Sequence, residues 1–115
     1  MISAKKLEEF KGKLEGRIAE VDRSLASTER DARALANKPA DPLDQAALEY
    51  EKQAVLHKAS TDRQLRQSLV QALKLIHHGT FGECDSCRGE IEPKRLEALP
   101  FARYCIRCQE EMERK

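Results

Sequence analysis

Tryptophan is absent from this 115-residue sequence, and aromatic residues make up only 4% of it. So little bulky apolar material excludes a large globular core and favours long exposed helices with a small stapled module. Long hydrophobic runs are also missing: no stretch approaches the length needed to span a membrane. The N-terminal run Met1-Ile2-Ser3-Ala4-Lys5-Lys6 is polar. A secretory leader is therefore not expected, and a cytoplasmic setting is. Neither charge sign dominates. Charged residues reach 36%, yet the formal net charge is +1, so the chain carries no overall basic field for holding nucleic acid. Cysteine is scarce as well, with four in the whole chain.

Those four cysteines are the most informative residues present. They form one C-x-x-C pair, Cys84-Asp85-Ser86-Cys87, then seventeen residues, then a second pair, Cys105-Ile106-Arg107-Cys108. Two such pairs at this separation predict one structural Zn²⁺ held by four thiolates. A closed tetrahedron of sulfurs leaves no position for a catalytic water, so the site reads as a staple. Gly89 is expected to supply the positive φ that the first turn requires. Arg88, Arg103 and Arg107 are expected to offset the negative charge of the thiolates. The alternatives are two disulfides or a redox dithiol; reduced thiols in the expected compartment favour zinc.

The rest of the chain reads as helix. From about Ser3 to Asn37, Leu7, Leu14, Val21, Thr28 and Leu35 recur every seven residues, with Ala4, Lys11, Ile18, Leu25 and Ala32 as a companion series. A second helix is expected from about Pro42 to His78, with Leu48, Val55, Asp62, Leu69 and Ile76 at the same period and Leu65, Ala72 and Leu73 beside them. This narrow seam is the pattern of a coiled coil. Thr28 and Asp62 are polar breaks in it, and pairing is expected to loosen at Asp62. Two nearly equal helices joined by a short proline-containing segment predict an antiparallel hairpin. Gly79 ends the second helix. The predicted architecture is thus mainly α: a coiled-coil hairpin over residues 1–78 with its tip at about 37–46, then a four-cysteine zinc finger over 79–115 that closes with a short polar helix from Gln109 to Lys115.

Other candidate sites are fewer. Asp41 and Asp44 lie three apart at the start of the second helix, where the helix dipole favours ionised carboxylates. They fit ordinary capping, with Asp41 as N-cap and Pro42 at the first helical position, or an acidic effector site. His57, His77 and His78 fit solvated or helix-terminal roles better than ligation. No nucleophile–base constellation is present, so an enzyme is not expected and no catalytic residue is assigned. Residues 79–115 hold seven Lys/Arg against eight Asp/Glu, which gives no excess for binding phosphates.

Taken together, these motifs resemble the DksA/TraR family across nearly the whole chain. The tip Asp41-Pro42-Leu43-Asp44-Gln45-Ala46 is similar to the family's D-x-x-D-x-A tip. Phe81-Gly82-Glu83-Cys84-Asp85-Ser86-Cys87, Glu90-Ile91, Arg95-Leu96-Glu97-Ala98-Leu99-Pro100 and Cys105-Ile106-Arg107-Cys108 are similar to its finger. The resemblance implies a non-enzymatic regulator that binds bacterial RNA polymerase directly and makes no sequence-specific contact with DNA and none with a membrane. Its coiled-coil tip would enter the secondary channel and alter open-complex stability, repressing stable-RNA promoters and activating others. Asp44 would be the main effector, Asp41 its partner, and Ala46 a small residue that lets the tip fit.

Two departures accompany the resemblance. Longer family members carry a further N-terminal segment, and here the coil is expected to begin almost at Met1. At the positions that match the family's basic ppGpp contacts stand Ser68, Leu99 and Gln109, none of them cationic, so weak or no ppGpp dependence is expected. The other readings are a Gre-like modulator of transcript cleavage and a zinc or redox-sensing scaffold whose coil binds another helical partner.

Overall fold

A computed structural model describes residues 2–39 and 41–114. Met1, Ala40 in the expected tip and Lys115 at the expected chain-terminal helix end lie outside the described residues. Four helices occur in order among them: α1 (Ala4–Ala36), α2 (Gln45–His78), α3 (Pro93–Ala98) and α4 (Ile106–Glu113). Extended structure is limited to an isolated antiparallel bridge between Glu83 and Glu90. The chain divides into two compact units, one of Met1–Ile18 with Ser68–Lys115 and one of Ala19–Gln67.

The first unit contains the start of α1, the end of α2 and all that follows. Ser3 caps α1: its Oγ accepts the Lys6 N–H at 3.2 Å, and its carbonyl accepts the Leu7 N–H at 2.9 Å. At the end of α2, Gly79 takes φ +80°. Its N–H reaches the Ile76 carbonyl at 3.2 Å while the Thr80 N–H reaches the Leu75 carbonyl at 3.0 Å. This pair of bonds is a Schellman cap, and it needs the left-handed conformation that glycine adopts without penalty. Leu14 of α1 and Leu69 of α2 are fully buried. Phe10, which belongs to neither predicted heptad series, is buried in a cluster with Cys84, Ile91, Leu96, Cys105 and Cys108. It packs on Phe81 with ring centroids 5.1 Å apart.

The second unit holds the end of α1 and the start of α2. Val21, Leu48 and Ala59 are buried there, and so is the polar Thr28, whose Oγ1 donates to the Ser24 carbonyl at 2.9 Å. The looseness expected at Asp62 is not found. Ser24 Oγ donates across the helices to Asp62 Oδ2 at 2.7 Å, and Arg66 Nε donates to Asp22 Oδ1 at 2.7 Å. The polar break is a satisfied layer.

Three boundaries differ from the sequence reading. α2 begins at Gln45, because Asp41–Asp44 form a separate turn before it. α3 was not expected, although Pro93 at its start and the following Lys-Arg-Leu-Glu-Ala run are ordinary helix signals. α4 begins at Ile106 rather than Gln109, so the second cysteine pair straddles its start.

Candidate metal centre and helix-joining turn

The sulfurs of Cys84, Cys87, Cys105 and Cys108 all lie within 4.8 Å of one another, and among the described residues they form the one cluster fit for a metal ion. None is in a disulfide. Sulfurs held about 2.3 Å from a tetrahedral Zn²⁺ stand about 3.8 Å apart. Cys87 and Cys105 Sγ are 3.9 Å apart, close to that edge. Four soft sulfur donors at this spacing fit zinc and leave no coordination position open, and the chain holds one structural zinc there.

Backbone bonds build the site. Cys84 N–H donates to the Gly89 carbonyl at 2.8 Å, and Arg88 N–H to the Cys84 carbonyl at 3.0 Å, which closes the first turn. Asp85 N–H donates to the Arg103 carbonyl at 2.9 Å, tying that turn to the second pair. The left-handed residue of the first turn is Arg88, at φ +64°, and not Gly89 as expected. Gly89 serves the sulfur instead: its N–H points at Cys87 Sγ at 3.4 Å, and an added Cβ would stand 3.4 Å from that sulfur. The Cys105 N–H makes the equivalent bond to Cys84 Sγ at 3.4 Å.

Burial pushes the Cys84 thiol up, but the backbone N–H groups of Cys87, Cys105 and Ser86 and the Cys87 thiol together outweigh it and bring the group to about 6. Cys108 is pushed up to about 12, first by its hydrogen bond with Cys105 and then by burial. Zinc supplies the charge that lets all four ionise together. The neighbouring arginines contribute less than expected. Arg103 pairs with Asp85 at 2.7 Å and Arg88 with Glu83 at 3.6 Å, so two of the three guanidiniums are balanced by carboxylates.

Glu92 is the finger residue that sequence reasoning missed. It stands at the N-cap position of α3 but makes no cap bond there. Its Oε1 accepts the Ile106 N–H at 3.0 Å, an otherwise unpaired donor at the start of α4. That bond holds the Glu92 carboxyl below its ordinary range. A glutamate just before a proline is the available signal, but its partner lies fourteen residues on.

The turn that joins the long helices belongs to the second unit. Asp41, Asp44 and Ala46 are all exposed. Asp41 Oδ1 accepts two backbone bonds, from Leu43 N–H at 3.0 Å and Asp44 N–H at 3.1 Å. Its own carbonyl also faces the Asp44 N–H at 3.1 Å. The helix proper starts with Leu48 N–H on the Asp44 carbonyl at 3.0 Å, so Asp41 caps a turn and Asp44 stands at the helix boundary. The Asp44 carboxylate has no partner among the described residues. Leu43, between them, is 91% exposed. His57, His77 and His78 are exposed; His77 and His78 fill the last turn of α2, where cations favour the helix dipole.

No helix among the described residues is long and apolar enough to cross a membrane. Residues 79–114 match the family model described as the prokaryotic dksA/traR C4-type zinc finger. The RNA polymerase-binding transcription factor DksA of Escherichia coli K12 and that of Salmonella typhimurium are each 40% identical over 90 residues, which is 78% of this chain. The chain spans 57% of the length of those relatives. Among solved structures, transcription factor DksA2 from Pseudomonas aeruginosa shares the fold with a TM-score of 0.89 at 24% identity, over 97% of this chain and 86% of that one. The Chlamydia trachomatis RNA polymerase-binding protein and transcriptional regulator follows at 0.62 and 18%, over 99% and 94%. A shared pair of long helices, a four-sulfur cluster and a matched finger model place this chain in the DksA/TraR family.

Proposed function

We propose that the chain is a transcription regulator that binds bacterial RNA polymerase and acts through the turn between α1 and α2. The turn enters the polymerase secondary channel and alters open-complex stability, repressing stable-RNA promoters and activating others. The observation that carries this reading is the contrast at the turn. Asp41 is committed to three short-range backbone contacts, whereas the Asp44 carboxylate is exposed and has no partner among the described residues. An uncompensated charge beside a helix start is available to a partner's cations or catalytic metal ions. The names of the relatives support polymerase as that partner. Action is by binding, with no chemical step, and contact with promoter DNA or a membrane is not part of it; the setting is the cytoplasm.

The same reading makes ppGpp dependence weak or absent. Leu99 is apolar, Gln109 donates its amide to Glu113 Oε1 at 3.1 Å, and Ser68 is neutral. None brings the cation that a polyphosphate needs.

In vitro transcription from a ribosomal RNA promoter tests both parts. Wild-type protein is expected to repress several-fold, equally with and without ppGpp, and Asp44→Asn to return transcription to the level without factor. Equal repression by Asp44→Asn would remove the turn from the mechanism. Strong potentiation by ppGpp would overturn the second part alone.

A further inference from the structure

We infer that the Ser24–Asp62 layer is a register key: it makes one antiparallel pairing of α1 with α2 the only well-satisfied one. Asp62 occupies a core-facing heptad position between Val55 and Leu69, where an apolar residue would pack more tightly. It is kept half-buried by a 2.7 Å bond from the Ser24 hydroxyl. The Ser24 carbonyl accepts the hydroxyl of the buried Thr28 at 2.9 Å, a bond within α1 that leaves the Thr28 hydroxyl already engaged. The neighbouring Asp22–Arg66 bond, also 2.7 Å, spans 44 residues against 38 for Ser24–Asp62, as antiparallel pairing in one register requires.

The alternatives all damage this layer. A slip of one helical turn in one direction along α1 would set the Asp62 carboxylate against Val21, which is buried and offers no donor; a slip in the other would set it against Thr28, whose hydroxyl already donates to the Ser24 carbonyl. It would also part Asp22 from Arg66. A parallel self-pairing of two α2 seams would put Asp62 opposite its own copy, carboxylate against carboxylate. Apart from Lys11 and Thr28, the heptad positions on either side are apolar and discriminate little among these arrangements. Specificity rests on the polar layer, and some stability is given up for it, as for buried polar residues at coiled-coil positions generally. Nothing in this inference depends on the polymerase reading, and its test uses the isolated protein.

The experiment compares Asp62→Leu, Asp62→Asn and wild type in the full zinc-loaded chain. The readouts are molar mass in solution by light scattering and amide NMR signals of residues 41–46. Asp62→Leu is expected to melt a few degrees higher, while gaining a dimeric species or a second set of amide signals. Asp62→Asn retains an acceptor for the Ser24 hydroxyl and is expected to keep one set and the wild-type mass. A monomeric Asp62→Leu with one set of signals would overturn the inference. So would an Asp62→Asn that shows the same second species, since the Ser24 bond would then not be the key.

Discussion

Two aspartates three residues apart do different work. Asp41 is an acceptor for backbone N–H groups, and asparagine serves that purpose about as well. Asp44 presents charge, which asparagine does not. Asp41→Asn is therefore expected to retain most of the transcriptional effect and Asp41→Ala to lose it, and a promoter assay of the two decides. If Asp41→Asn fails as Asp44→Asn is expected to, both carboxylates act through charge. Glu92 offers a second test at this scale. Its carboxyl sits below the ordinary 4.5 in the folded state, so its contribution is complete above that value and disappears as pH falls through the lowered one. The gap in thermal midpoint between wild type and Glu92→Gln should then be open at neutral pH and close as pH falls through the lowered value. A gap that stays constant with pH would show that ionisation of Glu92 does not contribute.

At the level of elements, the two long helices were legible because their signals are local and repeated. Leu7, Leu14, Val21 and Leu35 face inward at the predicted spacing, Ser3 caps α1 and Gly79 closes α2. What the pattern could not reveal depended on partners far along the chain. Phe10 looks like a surface residue of α1 until Phe81 and the cysteines arrive against it. Asp62 looks like a defect until Ser24 is opposite. The four metal ligands were legible from spacing alone, whereas the choice of Arg88 over Gly89 for the left-handed position turns on bonds to sulfur that spacing does not encode. Leu69, like Leu14, is fully buried. Leu69→Ala should cost about 2–5 kcal/mol in chemical denaturation. A loss below 1 kcal/mol would mean that the seam closes over the cavity.

For the molecule as a whole, zinc organises one of two units. Cys84, Cys105 and Cys108 share their core with Phe10 from α1, and Ile76 from α2 packs on it. Lys13 Nζ donates to the Glu97 carbonyl at the end of α3, and the Arg17 guanidinium lies 5.2 Å from the Phe101 ring centre. Structural zinc binding is folding free energy, so Cys105→Ser or a strong chelator should abolish protection of finger amides in hydrogen exchange. Protection should also fall in residues 2–18, which share that core. The helical segments of residues 19–67 contain none of the ligands and should exchange more nearly as before. Uniform loss across both units would show that they unfold together. Intact finger protection with zinc removed would contradict a structural metal.

The pairing contacts of the hairpin lie within the helices, at Ser24, Asp62, Asp22 and Arg66, and not within the turn that joins them. Replacing the turn leaves those contacts in place. The stem and the loop are accordingly free to evolve on separate schedules, with the stem conserving alignment while the loop exchanges one chemical vocabulary for another. A chain built this way is a handle with an interchangeable head.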